Sequence, residues 1–336
     1  MTKLVSKISV ITTFYNAQTF IGNAMMSVIS QNVPEFCEVE YVIVDDKSQD
    51  KSREIVEHII NENKDKPRFS FKLVEPDKNL GCGGARKFGI SKATGDYFMF
   101  LDADDYYMRI DFIEEAFKTI TSENADVVEY GVIYNQQNGQ QSNSTAPQKI
   151  VITNPHDMEI ALFKDNLIKF NVWSKIYTRE IVESYPYSDV RTFEDVRTIP
   201  IWISNCKKVV IMPIPEINYR AASNSIIRTN WVDTRLGTIS AIAELFPRFK
   251  DDRQLLKAMY TRSMIDLEAL LNQKSSECEG FDKMSQLNTY MLKFIYPDKW
   301  QELTYNVEDD PELNPDLKEK IRSKYIKTDL NNLPGM

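Results

Sequence analysis

The stretch YFMFLDADD, residues 97–105, decides the fold class of this chain. Its first half, Tyr97–Leu101, is a continuous apolar run, which is typical of a strand covered on both faces of a sheet. Carboxylates follow at once, at Asp102, Asp104 and Asp105. Residues i and i+2 of an extended chain point to the same side, so Asp102 and Asp104 can face one point. The stretch therefore predicts a buried strand that ends in an acidic turn.

The residues before this stretch alternate between strand and helix patterns. Strands are predicted at Lys7–Tyr15, Val39–Val44 and Phe69–Val74, and helices at Thr19–Gln31, around the apolar face of Ile55, Val56, Ile59 and Ile60, and from the glycine-rich segment Asn79–Gly84 to about Lys92. This alternation predicts an α/β fold with a mostly parallel, Rossmann-like sheet, flanking helices and right-handed crossovers. In such sheets a ligand binds beyond the carboxyl ends of the strands.

The residues after this stretch are less regular. Residues 136–149 are polar and of low complexity, which predicts a mobile surface loop. Strand-like pieces near Val172–Tyr177, Val209–Ile211 and Ile217–Arg220 then surround a predicted helix near Val196–Ser204. From Trp231 the pattern indicates a C-terminal helical region, with helices at Leu236–Phe246, Leu255–Leu271 and Leu287–Phe294 and a charged tail.

The composition of the chain excludes several classes of function. The 336 residues carry 41 Lys plus Arg against 49 Asp plus Glu, a formal charge of −8, so the basic excess of a duplex-binding protein is missing and no nucleic-acid partner is predicted. The four cysteines are far apart, which is typical of a reducing compartment. Only two histidines occur, His58 and His156, and they are too far apart in the sequence to form the HExxH motif of zinc enzymes. With neither a signal peptide nor a membrane-spanning run, the sequence predicts a cytoplasmic protein.

The acidic turn has two interpretations from the residues alone. Mg²⁺ is commonly held by one or two carboxylates together with substrate phosphates, and Mn²⁺ accepts similar ligands. Asp102 and Asp104 can therefore form an Asp-x-Asp motif that holds Mg²⁺ or Mn²⁺ against a diphosphate. The alternative is a solvated acidic turn that caps the helix predicted at 110–120.

Two further segments, at the ends of predicted strands or helices, also have two interpretations each. Asp45 and Asp46 follow the second strand, where one can contact a base or a ribose and the other can cap the next helix. The segment Asn79–Arg86 lacks the G-x-G-x-x-G pattern because Arg86 occupies its last glycine position. Arg86 can reach a carboxylate or a phosphate, or the segment can be a plain entry into a helix.

The second half of the chain offers one candidate base and three supporting side chains. Glu194 and Asp195 precede the helix near 196–204, so they can cap it, or one carboxylate can act as a general base. Arg220 can stabilise a leaving diphosphate, although an ordinary surface arginine is the commoner case. Trp173 and Lys175 can line a sugar pocket, or they can pack in the core with the lysine reaching toward solvent.

Taken together, these segments resemble the family 2 inverting glycosyltransferases with the GT-A fold. The resemblance covers about residues 7–230 and rests on an ordered set of motifs: Ile8–Ala17, Val42–Asp50, Asn79–Gly81 with Ala85-Arg86, Ala93–Tyr97, Phe100–Asp105, Trp173–Tyr177, Phe193–Asp195, and Tyr219-Arg220 with Ser225-Ile226. Two positions depart from the family pattern. Lys47 stands where the family often has Gly, and Lys87 stands where Asn is frequent, and neither change removes a carboxylate.

The resemblance implies a role for each site residue. Thr13, Tyr15, Asp45 and Asp46 would hold uracil and ribose, and Arg86 would lie near the nucleotide-sugar. Asp102 would approach the ribose or the sugar, and Asp104 would bind Mg²⁺ or Mn²⁺ that bridges the diphosphate. Asp195 would be the catalytic base, with Glu194 and Arg220 in support and Trp173 and Lys175 at the acceptor.

These roles predict a hexosyltransferase of polysaccharide biosynthesis that uses a UDP-sugar and a glycan or lipid-linked acceptor. Residues 1–230 would form the GT-A domain, with a nucleotide-binding half at 1–135 and an acceptor half at 136–230. The helical region 231–336 leaves open a peripheral contact with the inner face of the membrane or with a second copy of the chain. The rival interpretations are a nucleotidyltransferase and a non-catalytic module that binds a nucleotide-sugar or a glycan.

Overall fold

The computed structural model describes residues 6–135, 140–220, 231–272, 287 and 290–293, with the backbone alone for 231–235 and 265–272. The chain divides into two compact units, Met1–Ser225 and Ile226–Met336. The first unit carries every candidate site residue, so its architecture decides whether they meet.

The first unit alternates strands and helices along its length. Its strands are β1 (Ser6–Phe14), β2 (Cys37–Asp45), β3 (Phe69–Val74), β4 (Tyr97–Phe100), β5 (Tyr106–Tyr107), β6 (Val127–Asn135), β7 (Gln141–Asn143), β8 (Ile150–Ile152), β9 (Lys175–Thr178) and β10 (Val209–Arg220). Its helices are α1 (Ile21–Ile29), α2 (Ser52–Asn63), α3 (Gly81–Lys92), α4 (Phe112–Glu123), α5 (Pro155–Phe163), α6 (Arg179–Ser184) and α7 (Glu194–Ser204).

One sheet contains all of these strands, in the order β3-β2-β1-β4-β9-β6-β10-β5, with β7 beside β6 and β8 beside β10. The strands β3, β2, β1 and β4 run parallel, as the alternating pattern predicts. Beyond them β9 is antiparallel to both β4 and β6, and β6 is parallel to β10. The prediction of a mostly parallel central sheet flanked by helices is confirmed.

The register of the central strands brings their polar ends to one edge. Phe14 pairs with Asp45, and Ile11 pairs with Phe100, so β1, β2 and β4 end next to one another. Helix α3 packs closely on this sheet at Gly89, where an added Cβ would lie 2.8 Å from Cγ2 of Ile11. The acidic turn after β4 therefore opens beside the loops that follow β1 and β2.

Several local predictions need correction. The polar stretch 136–149 is not only a loop, because Gln141–Asn143 pairs with β6 as β7. The two strand pieces near 209–220 form one strand, β10, whose register shifts on either side of Pro215. Helix α3 begins at Gly81 and so includes most of the glycine-rich segment. The sequence interpretation also missed α5, which Asn154 caps by accepting from the backbone N–H of His156.

The second unit is described as two long helices, α8 (Trp231–Ala243) and α9 (Arg253–Asn272), which pack against each other. Leu287 and residues 290–293 are also helical. The rest of the predicted helix Leu287–Phe294 and the charged tail lie outside the described residues. None of the helices described for this chain is both long enough and apolar enough to cross a membrane.

Candidate functional site

The loops after β1 and β2 are joined by short polar contacts. The backbone N–H of Asn16 donates to Ser48 Oγ (3.1 Å), and Asn16 Oδ1 accepts from the backbone N–H of Gln49 (2.8 Å). One residue further on, the N–H of Ala17 donates to Ser52 Oγ at 2.7 Å. Both loops are therefore held in a fixed shape at the edge where the strands end. Thr13 and Tyr15 lie here, and the Tyr15 side chain is half exposed.

Asp45 and Asp46 are both buried, and each has a distinct structural partner. Asp45 Oδ1 accepts from the backbone N–H of Ser48 at 2.8 Å, and its Oδ2 lies 3.4 Å from Nη1 of Arg53. The two oxygens of Asp46 accept from the backbone N–H groups of Leu80 and Gly81, at 2.7 and 2.8 Å. Asp46 therefore caps α3, a helix far along the chain, and burial raises its pKa.

Lys47 follows with a left-handed backbone, at φ 71°. Glycine adopts this conformation without a steric penalty, whereas a residue with a Cβ is strained there. The Lys47 ammonium forms an ion pair with Glu75, which also accepts from Arg53 at 2.6 Å. Lys47 therefore holds, in this loop, a backbone conformation that glycine adopts more easily.

The acidic turn places three carboxylates in a small, partly buried space. Asp105 is buried, and its backbone N–H donates to the carbonyl of Asp102 at 3.1 Å. Burial and the charge of Asp102 raise the pKa of Asp104 to about 6, against the opposing charges of Arg220 and Arg86. The same causes, with Asp104 added, raise the pKa of Asp105 well above its usual range. Both carboxylates therefore protonate more readily than an exposed aspartate.

Arg220, at the end of β10, stands beside this turn. Its guanidinium carbon lies 4.8 Å from the ring centre of Tyr106 and 5.7 Å from that of Phe20. A cation over an aromatic face is attracted by the ring quadrupole, so both rings hold the guanidinium in place. Its backbone N–H donates to Asp105 Oδ1 at 2.9 Å, and its charge lowers the pKa of Asp104.

Arg86, on α3, joins the two halves of the first unit. Its side chain is buried, and Nη2 lies 2.5 Å from Asp102 Oδ1. Its Nη1 donates to Glu194 Oε1 and lies 3.4 Å from the Tyr187 hydroxyl. One guanidinium therefore connects the acidic turn to the start of α7, although 108 residues separate Arg86 from Glu194.

Glu194 and Asp195 form the first turn of α7, and Phe193 precedes them with a left-handed backbone (φ 60°). The Glu194 side chain is buried, whereas Asp195 is only partly buried. Burial raises the pKa of Asp195 to about 7, with a further rise from Glu194 and an opposing effect of Arg86. A carboxylate with this pKa can take a proton near neutral pH.

The glycines of α3 explain how the segment before α7 approaches so closely. A Cβ on Gly83 would lie 2.3 Å from the carbonyl oxygen of Val190 and 2.6 Å from that of Ser188. Gly81 has a left-handed backbone, and a Cβ there would lie 2.7 Å from Cγ of Arg191. The close backbone approach predicted for the glycine-rich segment is therefore made by the chain itself.

Trp173 and Lys175 have different surroundings. Trp173 is buried and stacks on Tyr219, with ring centroids 5.7 Å apart and an interplanar angle of 13°. Lys175 is fully buried, and its ammonium donates to the carbonyls of Lys169 and Asn171 at 2.8 and 2.6 Å. It also pairs with the buried Glu129 at 3.5 Å. This placement favours the packing interpretation for Lys175, but the side chain does not reach toward solvent.

The structure thus brings Arg86, Asp102, Asp104, Asp195 and Arg220 to one edge of the sheet. Sequence reasoning missed Tyr187 and Arg191, which fix the segment before α7: the Arg191 guanidinium donates to Asn79 Oδ1 at 3.1 Å. Neither residue belongs to a motif, so the sequence contains no pattern that could have revealed them.

The family model described as "Glycosyl transferase family 2" matches residues 9–190, which is more than half of the chain. The chain belongs to glycosyl transferase family 2. The resemblance inferred from the motifs of the sequence is thereby confirmed.

Relatives of this family 2 chain are similar over limited stretches. An "Uncharacterized glycosyltransferase" of Haemophilus influenzae is 37% identical over 99 residues, which are 30% of this chain and 36% of the relative. The chain spans between a third and a half of the length of several curated relatives that it matches.

Solved structures show the same fold at low identity. The structure of S. aureus TarS 1–349 in complex with UDP-GlcNAc has a TM-score of 0.67 at 17% identity and covers 88% of this chain and 83% of that one. A mannosyltransferase, PcManGT from Pyrobaculum calidifontis in complex with GDP-Man and Mn²⁺, has a TM-score of 0.52 at 16% identity, with 87% of each chain covered. The family 2 chain therefore has the GT-A fold that its motifs predict.

Proposed function

We propose that this chain is an inverting glycosyltransferase that moves a sugar from a UDP-sugar to a hydroxyl of a glycan or lipid-linked acceptor, as in polysaccharide biosynthesis. The observation that carries the proposal is the position of Arg86 between Asp102 and Glu194. This position of Arg86 brings the acidic turn, which suits a sugar diphosphate when a cation is bound, next to the start of α7. Asp195 in that first turn of α7 suits the role of a general base. The UDP-GlcNAc complex of the similar TarS structure supports the choice of donor.

The nucleotide half, residues 1–135, would bind the donor at the loops after β1 and β2. Of the two carboxylates there, we propose Asp45 for the base contact, because its Oδ2 has only a long contact to Arg53 (3.4 Å). Both oxygens of Asp46 are occupied by backbone N–H groups of α3. Thr13 and Tyr15 would complete the pocket for uracil and ribose.

The acidic turn fits a divalent cation. Asp105 Oδ2 is buried and has no hydrogen-bond partner among the residues that the structure describes, and the pKa values of Asp104 and Asp105 are raised. Such a set of oxygens suits Mg²⁺ or Mn²⁺, and we propose Asp104 as the ligand. When bound, the ion would offset negative charge on the diphosphate. The Mn²⁺ in the similar mannosyltransferase supports this proposal.

Two side chains of the protein would assist the single displacement itself, one at the leaving group and one at the acceptor hydroxyl. The sugar–diphosphate bond breaks heterolytically, and Arg220, held over Tyr106, would stabilise the charge that develops on the leaving diphosphate. Asp195 would accept the proton of the acceptor hydroxyl as its oxygen attacks the anomeric carbon from the opposite face. The acceptor half, residues 136–230, would hold the acceptor, and Trp173, buried and stacked on Tyr219, would support this pocket from within. Such a displacement inverts the anomeric configuration without a covalent enzyme intermediate.

The test is a screen of the purified chain against UDP-, GDP- and other nucleotide-sugars with Mn²⁺. Thermal shift reports binding, release of free nucleotide reports turnover, and ¹H NMR of a product reports its anomeric configuration. We expect a UDP-sugar to stabilise the protein and to release UDP with inversion. Stabilisation without release would favour a non-catalytic binding module. Formation of a nucleotide-sugar from a nucleoside triphosphate and a sugar phosphate would favour a nucleotidyltransferase, and a product with retained configuration would contradict the single displacement.

A further inference from the structure

We infer that Arg86 is a positioning residue that fixes the start of α7 against the acidic turn and so sets the direction of Asp195. This inference rests on the proposed function, because Asp195 is the proposed base. It differs from the role that the family resemblance implies for Arg86, which is a contact with the nucleotide-sugar. The difference can be measured, because a donor contact and a positioning contact affect different kinetic constants.

The geometry of the guanidinium carries the inference. Nη2 lies 2.5 Å from Asp102 Oδ1, and Nη1 donates to Glu194 on the other side. The Arg86 side chain is only 6% exposed, and the Glu194 side chain 7%. A planar guanidinium presents donors in fixed directions, so one arginine can bridge two carboxylates, whereas a lysine ammonium acts as a point charge. Both ends of the Arg86 fork are thus directed at protein carboxylates.

The backbone around α3 supports the same role independently. Gly83 lies one turn before Arg86, and it lets the carbonyls of Ser188 and Val190 come within 2.6 and 2.3 Å of where a Cβ would stand. The segment that ends in Phe193 is therefore pressed onto α3 just where Arg86 holds Glu194. Helix α3 gives α7 its position through a close backbone contact and through an ion pair.

The charges around Asp195 indicate what Arg86 changes. Glu194 precedes Asp195 on α7, and the charges of Glu194, of Arg86 on α3 and of Asp102 in the acidic turn all affect the pKa of Asp195. The charge of Asp195 in turn affects the pKa values of Lys175, Tyr177 and Tyr187. Arg86 opposes the effects of Glu194 and Asp102 on the pKa of Asp195. Loss of its charge should therefore make Asp195 titrate at higher pH.

The experiment compares Arg86→Gln, Arg86→Lys and the control Lys87→Gln with the natural chain. Lys87 is the next residue, is about half exposed and pairs with the exposed Asp189. Carboxyl ¹³C signals of labelled aspartate are followed from pH 5 to 9, and Asp195 is identified as the signal missing in Asp195→Asn. Turnover of the donor and its KM are measured on the same proteins.

We expect the Asp195 midpoint to rise by about one pH unit in Arg86→Gln and to stay unchanged in Lys87→Gln. The kcat should fall about 10²-fold in both Arg86 variants, with the donor KM within about twofold, because a small displacement of a catalytic group has this cost. Arg86→Lys retains the charge, so it decides the question if Arg86→Gln does not fold.

Three results would overturn the inference. One is a donor KM that rises tenfold or more with kcat unchanged, which would mean that Arg86 binds the donor. The second is an Asp195 midpoint that does not move in a folded Arg86→Gln protein. The third is a kcat of Arg86→Lys equal to that of the natural chain. If the natural chain turns over no nucleotide-sugar, the proposed function fails, and the carboxyl titration still decides the role of Arg86.

Discussion

Asp105 accepts a hydrogen bond at 2.9 Å from the backbone N–H of Arg220, which lies 115 residues further along the chain. Asp105 belongs to the acidic turn after β4, and Arg220 is the last residue of β10. The bond therefore ties the end of β10 to the turn that is proposed to hold the cation. It also leaves the Arg220 guanidinium over Tyr106, 4.8 Å from the ring centre.

Replacing Arg220 by glutamine should remove charge stabilisation and leave this backbone bond in place. We expect kcat to fall about 10²-fold with little change in stability, because the lost charge would act on the leaving diphosphate. Steady-state kinetics and a thermal melt check this expectation, with the exposed Lys118→Gln as a control. Unchanged kcat in a folded Arg220→Gln protein would remove Arg220 from the mechanism.

The variant Asp104→Asn should impair metal use. One ligand charge is lost from a turn whose carboxylates have raised pKa values, so the turn should hold a divalent cation less well. We expect turnover to fall about 10²–10³-fold and to need more Mn²⁺ for half of its maximum. A Mn²⁺ titration of activity measures both effects, and Asp65→Asn, an exposed acid, is the control. Equal Mn²⁺ dependence in the two proteins would contradict the assignment.

Asp195 should give the reaction an acidic limb in its pH profile. Burial raises its pKa to about 7, and only the ionised form accepts a proton, so kcat/KM should increase with pH up to about 7 and then level off. Asp195→Asn should lower turnover about 10²–10⁴-fold and remove this limb, with UDP binding unchanged by thermal shift. The control is Asp189→Asn, an exposed acid in the preceding segment. Retained turnover in Asp195→Asn would mean that another group is the base.

Two glycines offer a matched test of the close contact between α3 and the segment before α7. Gly83→Ala should cost about 1–3 kcal/mol, because the new Cβ would lie 2.3 Å from the carbonyl oxygen of Val190. Gly22→Ala, inside α1, should be neutral or stabilising by up to about 1 kcal/mol, since its Cβ would meet only side-chain carbons 3.8 Å away. Urea denaturation gives both values. Equal stability of the two variants would show that the segment before α7 yields easily.

Lys175 should matter for stability more than for catalysis. Lys175→Met removes the cation that pairs with the buried Glu129, and breaking such a pair costs about 3–5 kcal/mol. The double variant Lys175→Met/Glu129→Gln should recover part of this loss, because the uncompensated charge is gone. Urea denaturation and the acceptor KM are measured together. A raised acceptor KM with unchanged stability would restore Lys175 to the sugar pocket.

The sequence predicted the central sheet well because each of its elements has its own periodic pattern. Phe69–Val74 is the predicted strand and the observed one, and the continuous run at 97–101 is a buried strand as expected. Elements that depend on a distant partner were missed. The strand β7 is a short polar piece ordered by pairing with β6, and β10 is continuous despite two prolines because β6 supports it on one side.

The candidate site shows the same division. Carboxylates after an apolar strand are visible in a sequence and pointed to the acidic turn, whereas Glu194 and Asp195 were visible as an acidic pair at the start of a predicted helix. The partners of these side chains could not be predicted, because Arg86 and Glu194 meet only after folding. Lys175 illustrates the limit: the sequence allowed a lysine in a sugar pocket or one that reaches from the core toward solvent, and only the fold reveals its buried partner Glu129.

The left-handed backbone at Phe193 has a consequence for anyone who builds chimeric enzymes. A bulky residue does not adopt this conformation by its own preference, so the neighbouring segments must impose the angle at which α7 begins. Grafting α7 with its two acidic residues onto another scaffold would therefore transfer the chemical groups without their orientation. A chimera should therefore take α3 and α7 from the same parent sequence, with recombination breakpoints outside both helices.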